Sequence, residues 1–417
     1  CSSRPTMSLA ETGDLHLVWY SNEISNNLNV VSAANLIYES IKADRTWSEP
    51  AIVIETEEYT LPIITGMGNG DLNILWSDDT GQRLNYTSQP HYSCSRDGLG
   101  EIEQVILDVI ESGSYQPDRD RVPYCLNNYA GLIYMPNPEP EFSIQPPTEN
   151  GGFDNVANLA SLVRYEVVLS VMEWASDEDG QGINPGSVYT QMIAKLYQQI
   201  KDDPSRYPRG LTIRILLGNY PELSKLEWGE QIWNVIEDLR NAGVDKMIDP
   251  NIGWKVEVAN YEGVYPHSHT KFMVVDGKSV VGAGFNYGYL HLPYDHPSNK
   301  GGDLFDLGMV ITGPIAQQSL ATFDDYWQGS NQLHCPDLSP DPDFLWTRDC
   351  TRSEGQAVHV PEVKKYFLPD RSSDLSNAYS LNRNIEYKES DEVILAALSS
   401  AQNSIDILEV NFSLELI

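Results

Sequence analysis

Basic residues are scarce. The 417-residue chain carries 27 Lys+Arg against 60 Asp+Glu, a formal charge of −33. A broad nucleic-acid clamp takes its affinity from basic residues that neutralise phosphates, and this balance argues against one. Any phosphate handled here must meet a positive field that is local; the acidity otherwise bears on solubility and says little about fold. Cysteine is scarce too, with Cys1, Cys94, Cys125, Cys335 and Cys350 the only five. None lies in a CxxC or Cys/His cluster with zinc spacing. Cys94/Cys125 and Cys335/Cys350 fall in segments rich in Pro, Asp and Ser. That reads as two loop-stapling disulfides in an oxidising compartment: extracellular, periplasmic or cell surface. The alternative is four unpaired thiols. No run of about 18 apolar residues occurs, so no membrane-spanning helix is expected. No leader peptide is recognisable. The chain starts on Cys1 and not on Met, which fits a processed end, a lipid-modified terminus or a fragment. Both ends of the sequence favour a fragment.

What is present begins with a repeat. GDLHLVWYS (13–21) is matched by GDLNILWSD (70–78), 57 positions later, and each is followed by a second short strand, LIYES (36–40) or LNYTS (84–88). Alternating strands between Asn, Asp and Gly turns read as an all-β module over 1–93. Four short strands per unit at such a period point to propeller blades. SIKADRTW (40–47) resembles the Asp-box of sialidase-like propellers: Ser40, Thr46 and Trp47 fit, while Lys42 and Asp44 stand where that motif has Asp and Gly. Two blades cannot close a propeller. The module is therefore a truncated propeller or another β unit. It has no recognisable sialidase arginine triad, and reads as scaffold or as a binding module for a glycan or protein ligand.

Residues 94–152 read as a connector, with a helix over 101–112 and a Pro-rich linker over 136–152. From 153 to 330 strands alternate with helices. Strands are expected at 165–174, 211–218, 254–260 and 305–312, and helices at 186–202, 230–243 and 314–327. This is α/β, a sheet covered by helices. Residues 331–391 are irregular. EVILAALSSAQNSIDILEVNF (392–412) then repeats the helix-then-strand form of 155–174, so 392–417 reads as the start of a second such unit, cut short.

The chemistry concentrates in HSHTKFMVVDGKSVVGAGFN (267–286). Asp-Gly between apolar runs is a hairpin signal. A Gly277-Lys278 loop would set Lys271 opposite Gly284 and His269 opposite Asn286. Side chains alternate with period two, so these four would share a face. Gly284 leaves room for a ligand group. Lys271 and Asn286 can donate to phosphate oxygens, and His269 can attack phosphorus while the cation stabilises the charge-rich transition state. Such an imidazole needs an orienting carboxylate on its other nitrogen. Asp303 and Asp306 are the candidates. Asp276, at the turn, also has a plain role in forming the hairpin.

His269, Lys271 and Asp276 in HTKFMVVD, with Asn286 ten residues on, resemble the HxKxxxxD…GSxN signature of the phospholipase D superfamily. DLGMVITGP (306–314) is similar to the segment that follows in that family. The resemblance covers about 153–330, one half of the usual two-half enzyme. It implies an α/β phospholipase D-like half, a mixed sheet flanked by helices, preceded by the all-β module with propeller-blade-like repeats. It implies that His269 is the nucleophile and that Lys271 and Asn286 bind phosphate, with Gly284 beside them. It also implies that Asp306 orients His269, that Asp276 belongs to the catalytic motif, and that no metal or cofactor is needed. The leaving-group acid would be the histidine of a second half, supplied in cis beyond residue 417 or in trans by dimerisation. Ala283-Gly284 replaces the family's Gly-Ser, and no second HxKxxxxD occurs in this sequence.

Other residues read more plainly. His267 is taken as a polar lining residue, Trp19 and Trp76 as core, Glu173 and Asp177, which close the first strand, as a solvated loop with a place facing the site as the alternative, and SDEDG (176–180) as a solvated turn. The aromatic loop YGYLHLPY (287–294) favours a lipid interface. Three functions follow in order of preference. The first is a phosphodiester hydrolase or transphosphatidylase acting through a phosphohistidine, on phospholipid. The second is a nuclease with the same chemistry. The third is a non-catalytic surface binding protein with a degenerate phospholipase D-like domain.

Overall fold

The computed structural model describes residues 5–9, 15–25, 32–43, 46–47, 51–56, 62–66, 72–77, 84–89, 94, 96, 98–112, 124–136, 148–177, 180–207, 210–218, 231–262, 267–338, 349–355, 376–381 and 388–406. The chain divides into two units. The larger holds Cys1–Tyr92 and Tyr124–Ala378, the smaller Ser93–Pro123 and Tyr379–Ile417.

The larger unit opens with two antiparallel meanders. The first runs β1 (Thr6–Leu9), β2 (Leu15–Ser25) and β3 (Ser32–Ala43), with β4 (Thr46–Trp47) and β5 (Ala51–Thr56) both pairing β3. The second runs β6 (Ile63–Gly66), β7 (Leu72–Ser77) and β8 (Leu84–Gln89). The sequence repeat is a structural one. Thr6 pairs Val18 in the first meander, and Ile63 pairs Leu75 in the second, so each partner is displaced by the same 57 positions. Val18 packs with Ile64, Ile74 and Trp76. Val18 corresponds to Leu75, so the two meanders meet through opposite faces. Trp76 is core as expected, whereas Trp19 is half-buried. Among the described residues the meanders do not close into a propeller.

Helix α1 (Glu101–Ser112) belongs to the smaller unit, where it packs on the last helix of the chain. The chain then enters the main sheet through β9 (Asn128–Met135), which pairs with a strand far along the sequence. The connector expected over 94–152 thus contributes an edge strand. The Pro-rich stretch 137–147 lies outside the described residues.

The α/β part follows as helix α2 (Phe153–Ala160), β10 (Glu166–Val171), α3 (Pro185–Asp202), β11 (Leu211–Leu217), α4 (Gln231–Asn241), β12 (Ile248–Asp249), β13 (Trp254–Asn260), β14 (Phe272–Val275), β15 (Ser279–Ala283), β16 (Asp306–Thr312), α5 (Pro314–Trp327), β17 (Asn331–His334) and β18 (Thr351–Glu354). Strand order is β18-β17-β13-β11-β10-β14-β15-β16-β9, with β12 beside β13. β10, β11 and β13 are mutually parallel and the remaining pairings antiparallel, giving the expected mixed sheet.

β10 reads EVVLSV with every position buried, because it lies between two strands and under helices on both faces. Residues of α2, α3 and α4 pack one face and those of α5 the other. α3 and α5 each start on a Pro, whose missing N–H costs nothing there. One charged group is embedded in the sheet. Arg214 of β11 is fully buried and bridges Glu166 (2.6 Å) and Asp324 (2.7 Å), with its guanidinium 5.0 Å from the Phe323 ring centre. Burial raises the Glu166 carboxyl above its ordinary range even with Arg214 opposing. Cys335 and Cys350 form a disulfide beside the β17–β18 pair, and Cys94 and Cys125 are likewise disulfide-bonded. Both fit an oxidising compartment. Among the described residues no helix is long and apolar enough to cross a membrane.

In the smaller unit the last helix, α6 (Glu389–Ser400), lies against α1, and Gln402 Nε2 donates to Glu101 Oε2 (2.6 Å). The strand expected at 404–412 falls largely outside the described residues.

Candidate active site

The site lies where β10 ends, where β14 and β16 begin, and where the chain leaves β15. The hairpin forms as expected, but its register differs by one. Val275 pairs Ser279 and Phe272 pairs Gly282, which leaves a three-residue loop, Asp276 to Lys278. Lys278 N donates to the Val275 carbonyl (2.9 Å), and both Asp276 (φ 52) and Gly277 (φ 59) are left-handed. Lys271 therefore stands opposite Ala283, whose N–H donates to the Lys271 carbonyl (3.0 Å), and not opposite Gly284. The cause is Asp276. Its carboxylate accepts the backbone N–H of Arg164 (2.8 Å), Tyr165 (2.8 Å) and Glu166 (3.0 Å). That clamp draws Asp276 out of the ladder and ties the turn to the head of β10. Asp276 is buried at the far end of β14 from Lys271, so the structure gives it a structural place and does not bring it to the other site residues.

His269 and Lys271 do come together. Lys271 Nζ is 3.3 Å from His269 Nδ1, 3.2 Å from Nε2 and 3.1 Å from the His269 carbonyl oxygen. The in-plane directions of the two ring nitrogens diverge, so an ammonium near-equidistant from both lies over the ring and in line with neither. The Lys271 stem lines a cavity of about 10 Å³ with Met273, Ala283, Phe285 and Tyr287, room for roughly one water. Burial lowers the Lys271 pKa, and Glu173 and Asp306 oppose that fall. Burial also lowers the His269 pKa, with the charges of Lys271 and His267 adding to it. His269 is thus neutral at neutral pH, with a lone pair available.

Asp306 sits against Gly284. A Cβ at position 284 would meet its carboxylate, so a side chain there would oblige Asp306 to shift. Asp306 Oδ1 accepts Leu307 N (2.7 Å). Its field reaches Lys271, and no hydrogen bond to His269 is formed in this state. Asp303, the other candidate orienter, accepts Tyr294 N (2.8 Å) and has φ 49; it pins a loop.

Glu173 takes the alternative place, facing the site. It stands two residues past the end of the buried β10 and lies in the site, not in a solvated loop. Asn286 Nδ2 donates to Glu173 Oε2 (3.4 Å), and Tyr287 N to the Glu173 carbonyl (3.1 Å). A parallel bridge between Trp174 and Tyr287, with Ala175 N donating to the Tyr287 carbonyl (2.9 Å), holds this junction. The two rings stack at 4.8 Å. The stack brings Asn286 to the end of β10, while Asn286 Oδ1 is buried without a hydrogen-bond partner among the described residues. The available signal was a carboxylate placed two residues past a strand whose every position is buried.

Behind His269 and Lys271 runs a chain of hydroxyls. Ser170 Oγ and Thr270 Oγ1 are 2.8 Å apart, as are Thr270 Oγ1 and Ser268 Oγ. The residues on either side of His269 are thereby tied to β10.

No family model matches the chain, and no curated protein matches it. Solved structures do. Nuc from Salmonella typhimurium, described as a phospholipase D family member, matches with 12% identity and a TM-score of 0.30, over 48% of this chain and 95% of its own. NucT from Helicobacter pylori matches with 9% identity and a TM-score of 0.28, over 48% and 94%. The phosphatidylserine synthase of Haemophilus influenzae matches with 12% identity and a TM-score of 0.27, over 47% and 37%. These likenesses assign no residue roles; the case for chemistry here rests on the site.

Proposed function

We propose that this chain is one half of a metal-independent phosphodiester hydrolase or transphosphatidylase of the phospholipase D type, acting on phospholipid. The observation that supports this most is the pairing of His269 with Lys271: a neutral imidazole under an ammonium. A phosphodiester would place its non-bridging oxygens against Lys271 Nζ and the second amide hydrogen of Asn286. A His269 nitrogen then attacks phosphorus. An N–P bond forms, and the P–O bond to the leaving alcohol breaks. The departing oxygen takes a proton from an acid that the resemblance assigns to a second half, in cis or from a second copy. Water or an alcohol, giving its proton to the now deprotonated second-half acid, next displaces the imidazole, breaking the N–P bond and returning His269 to its starting form. Lys271 balances the charge built up on phosphorus, and Glu173 and Asp306 keep Lys271 protonated in a site that lowers its pKa.

The N-terminal meanders would serve as a module for a glycan or protein ligand, and the disulfides favour a secreted or surface-exposed protein. The test uses the full-length protein with EDTA present. It should release head group from phosphatidylcholine, and His269→Ala should reduce release to background while an acid-labile phosphohistidine disappears. Retained release in His269→Ala sinks the assignment, and turnover of oligonucleotides in place of lipid moves it to the nuclease reading.

A further inference from the structure

Two loop segments beside the site are zipped together. Leu304 N donates to the Leu290 carbonyl (2.8 Å), Asp303 N to the Leu292 carbonyl (3.1 Å), and Tyr294 N to the Asp303 carboxylate (2.8 Å). Leu292 is fully buried beneath them. The result is a fixed ledge and not a loose loop. From it Leu290, Tyr294, Leu304 and Phe305 project 61%, 78%, 50% and 59% exposed. Contiguous apolar exposure on this scale marks an interaction surface.

The ledge is continuous with the site. Phe305 immediately precedes Asp306, and Gly284 N donates to the Leu307 carbonyl (3.0 Å). Asn286 leads through Tyr287 into the same ledge. We propose that Leu290, Tyr294, Leu304 and Phe305 seat this protein on the surface of a phospholipid assembly with electrically neutral, zwitterionic head groups. The inference rests on the phosphodiesterase reading and specifies the side from which its substrate arrives. A phospholipid carries its phosphodiester just outside the acyl region. A site that reaches it there is bordered by side chains entering the acyl boundary. Tyrosine, with an apolar ring and a polar tip, suits that depth.

Charge selects the surface. With 27 basic against 60 acidic residues, the molecule is repelled by an anionic leaflet. The ledge does not reverse this: Lys300 lies over the Tyr289 ring at 4.9 Å, and the same stretch of sequence carries Asp295 and Asp303.

Co-sedimentation of the full chain with phosphatidylcholine vesicles, measured beside hydrolysis of a soluble monomeric phosphodiester, tests this. The double variant L290S/F305S should bind the vesicles at least about tenfold more weakly, as two apolar anchors are lost. Replacing the lipid by phosphatidylserine should weaken wild-type binding, and His269→Ala should still bind. Tyr294→Ser, altering the most exposed of the four, serves if the double variant fails to fold. Failure of wild type to bind zwitterionic vesicles, or unchanged binding by the variants, overturns the proposal. So does loss of self-association in L290S/F305S with vesicle binding intact, which assigns the ledge to a second copy. Lost hydrolysis with retained vesicle binding would sink only the phosphodiesterase reading.

Discussion

Lys271 lowers the proton affinity of its neighbour as well as offering charge to a ligand. Burial is the larger cause of the fall in the His269 pKa, and the ammonium is the next. Protonated His269 cannot attack phosphorus, so the acid limb of kcat/KM should lie below pH 6.5, the ordinary histidine value. Lys271→Met removes a positive neighbour and should move that limb upward while lowering kcat by about 10²–10³, the usual loss for one transition-state donor. A pH–rate profile of both proteins checks this; a limb that stays in place would mean the ammonium does not act on the ring. At this scale the sequence made His269, Lys271 and Asn286 legible, because their spacing carries the chemistry. Glu173 was legible only as the less favoured of two readings. A carboxylate after a strand is normally solvated, and only the Trp174–Tyr287 stack brings Asn286 onto it.

At the scale of elements, most of the α/β order could be read from periodicity. The helix at 314–327 and the strand at 254–260 have the expected bounds, since apolar spacing and a leading Pro define them. The hairpin register could not. Asp-Gly signals a two-residue turn, but the Asp276 carboxylate is engaged by three amides more than 100 positions away in sequence, and that long-range pull adds a residue to the loop. β9 was hidden for a similar reason: its partner β16 is remote, and Pro-rich sequence follows it. The clamp has a measurable weight. Asp276→Ala leaves three backbone donors unmatched, that of Glu166 buried and those of Arg164 and Tyr165 partly so, and should cost roughly 2–3 kcal/mol in urea unfolding, where hydrogen bonds to charged groups lie. A loss under about 0.5 kcal/mol, the range of ordinary surface changes, would deny the clamp its role.

Across the whole molecule, ionisable groups embedded in the α/β part couple its stability to pH. Asp238 accepts from Trp174 Nε1 (2.8 Å) and Asn184 Nδ2 (2.9 Å), and burial pushes its carboxyl up to about 7 from 3.8. The folded state therefore holds this proton where the unfolded chain has released it. The stabilisation is complete below pH 3.8 and is lost as pH rises toward 7. Asp238→Asn should flatten that part of the stability profile, read as melting temperature between about pH 4 and 7 against wild type; an unchanged slope would assign it to other groups. The same variant keeps the Trp174 contact, so the end of β10 beside Glu173 should stay in place.

The constant 57-position displacement between the two N-terminal meanders has a hereditary meaning. Adding that interval to both members of a β1–β2 pair lands on a β6–β7 pair, whereas β3 and β8 do not obey it: Leu15 meets Lys42, but Leu72 meets Gln89. The two meanders thus share the register of their first strand pair and differ in that of their second. Residues 15–71 form a natural splice length, whose removal would join β1 directly to β7 in the pairing that β1 already makes with β2. Such a deletion would keep the β1 register but take Val18 and Ile64 away from Ile74 and Trp76, so the two meanders share a pairing rule and still depend on each other for their core.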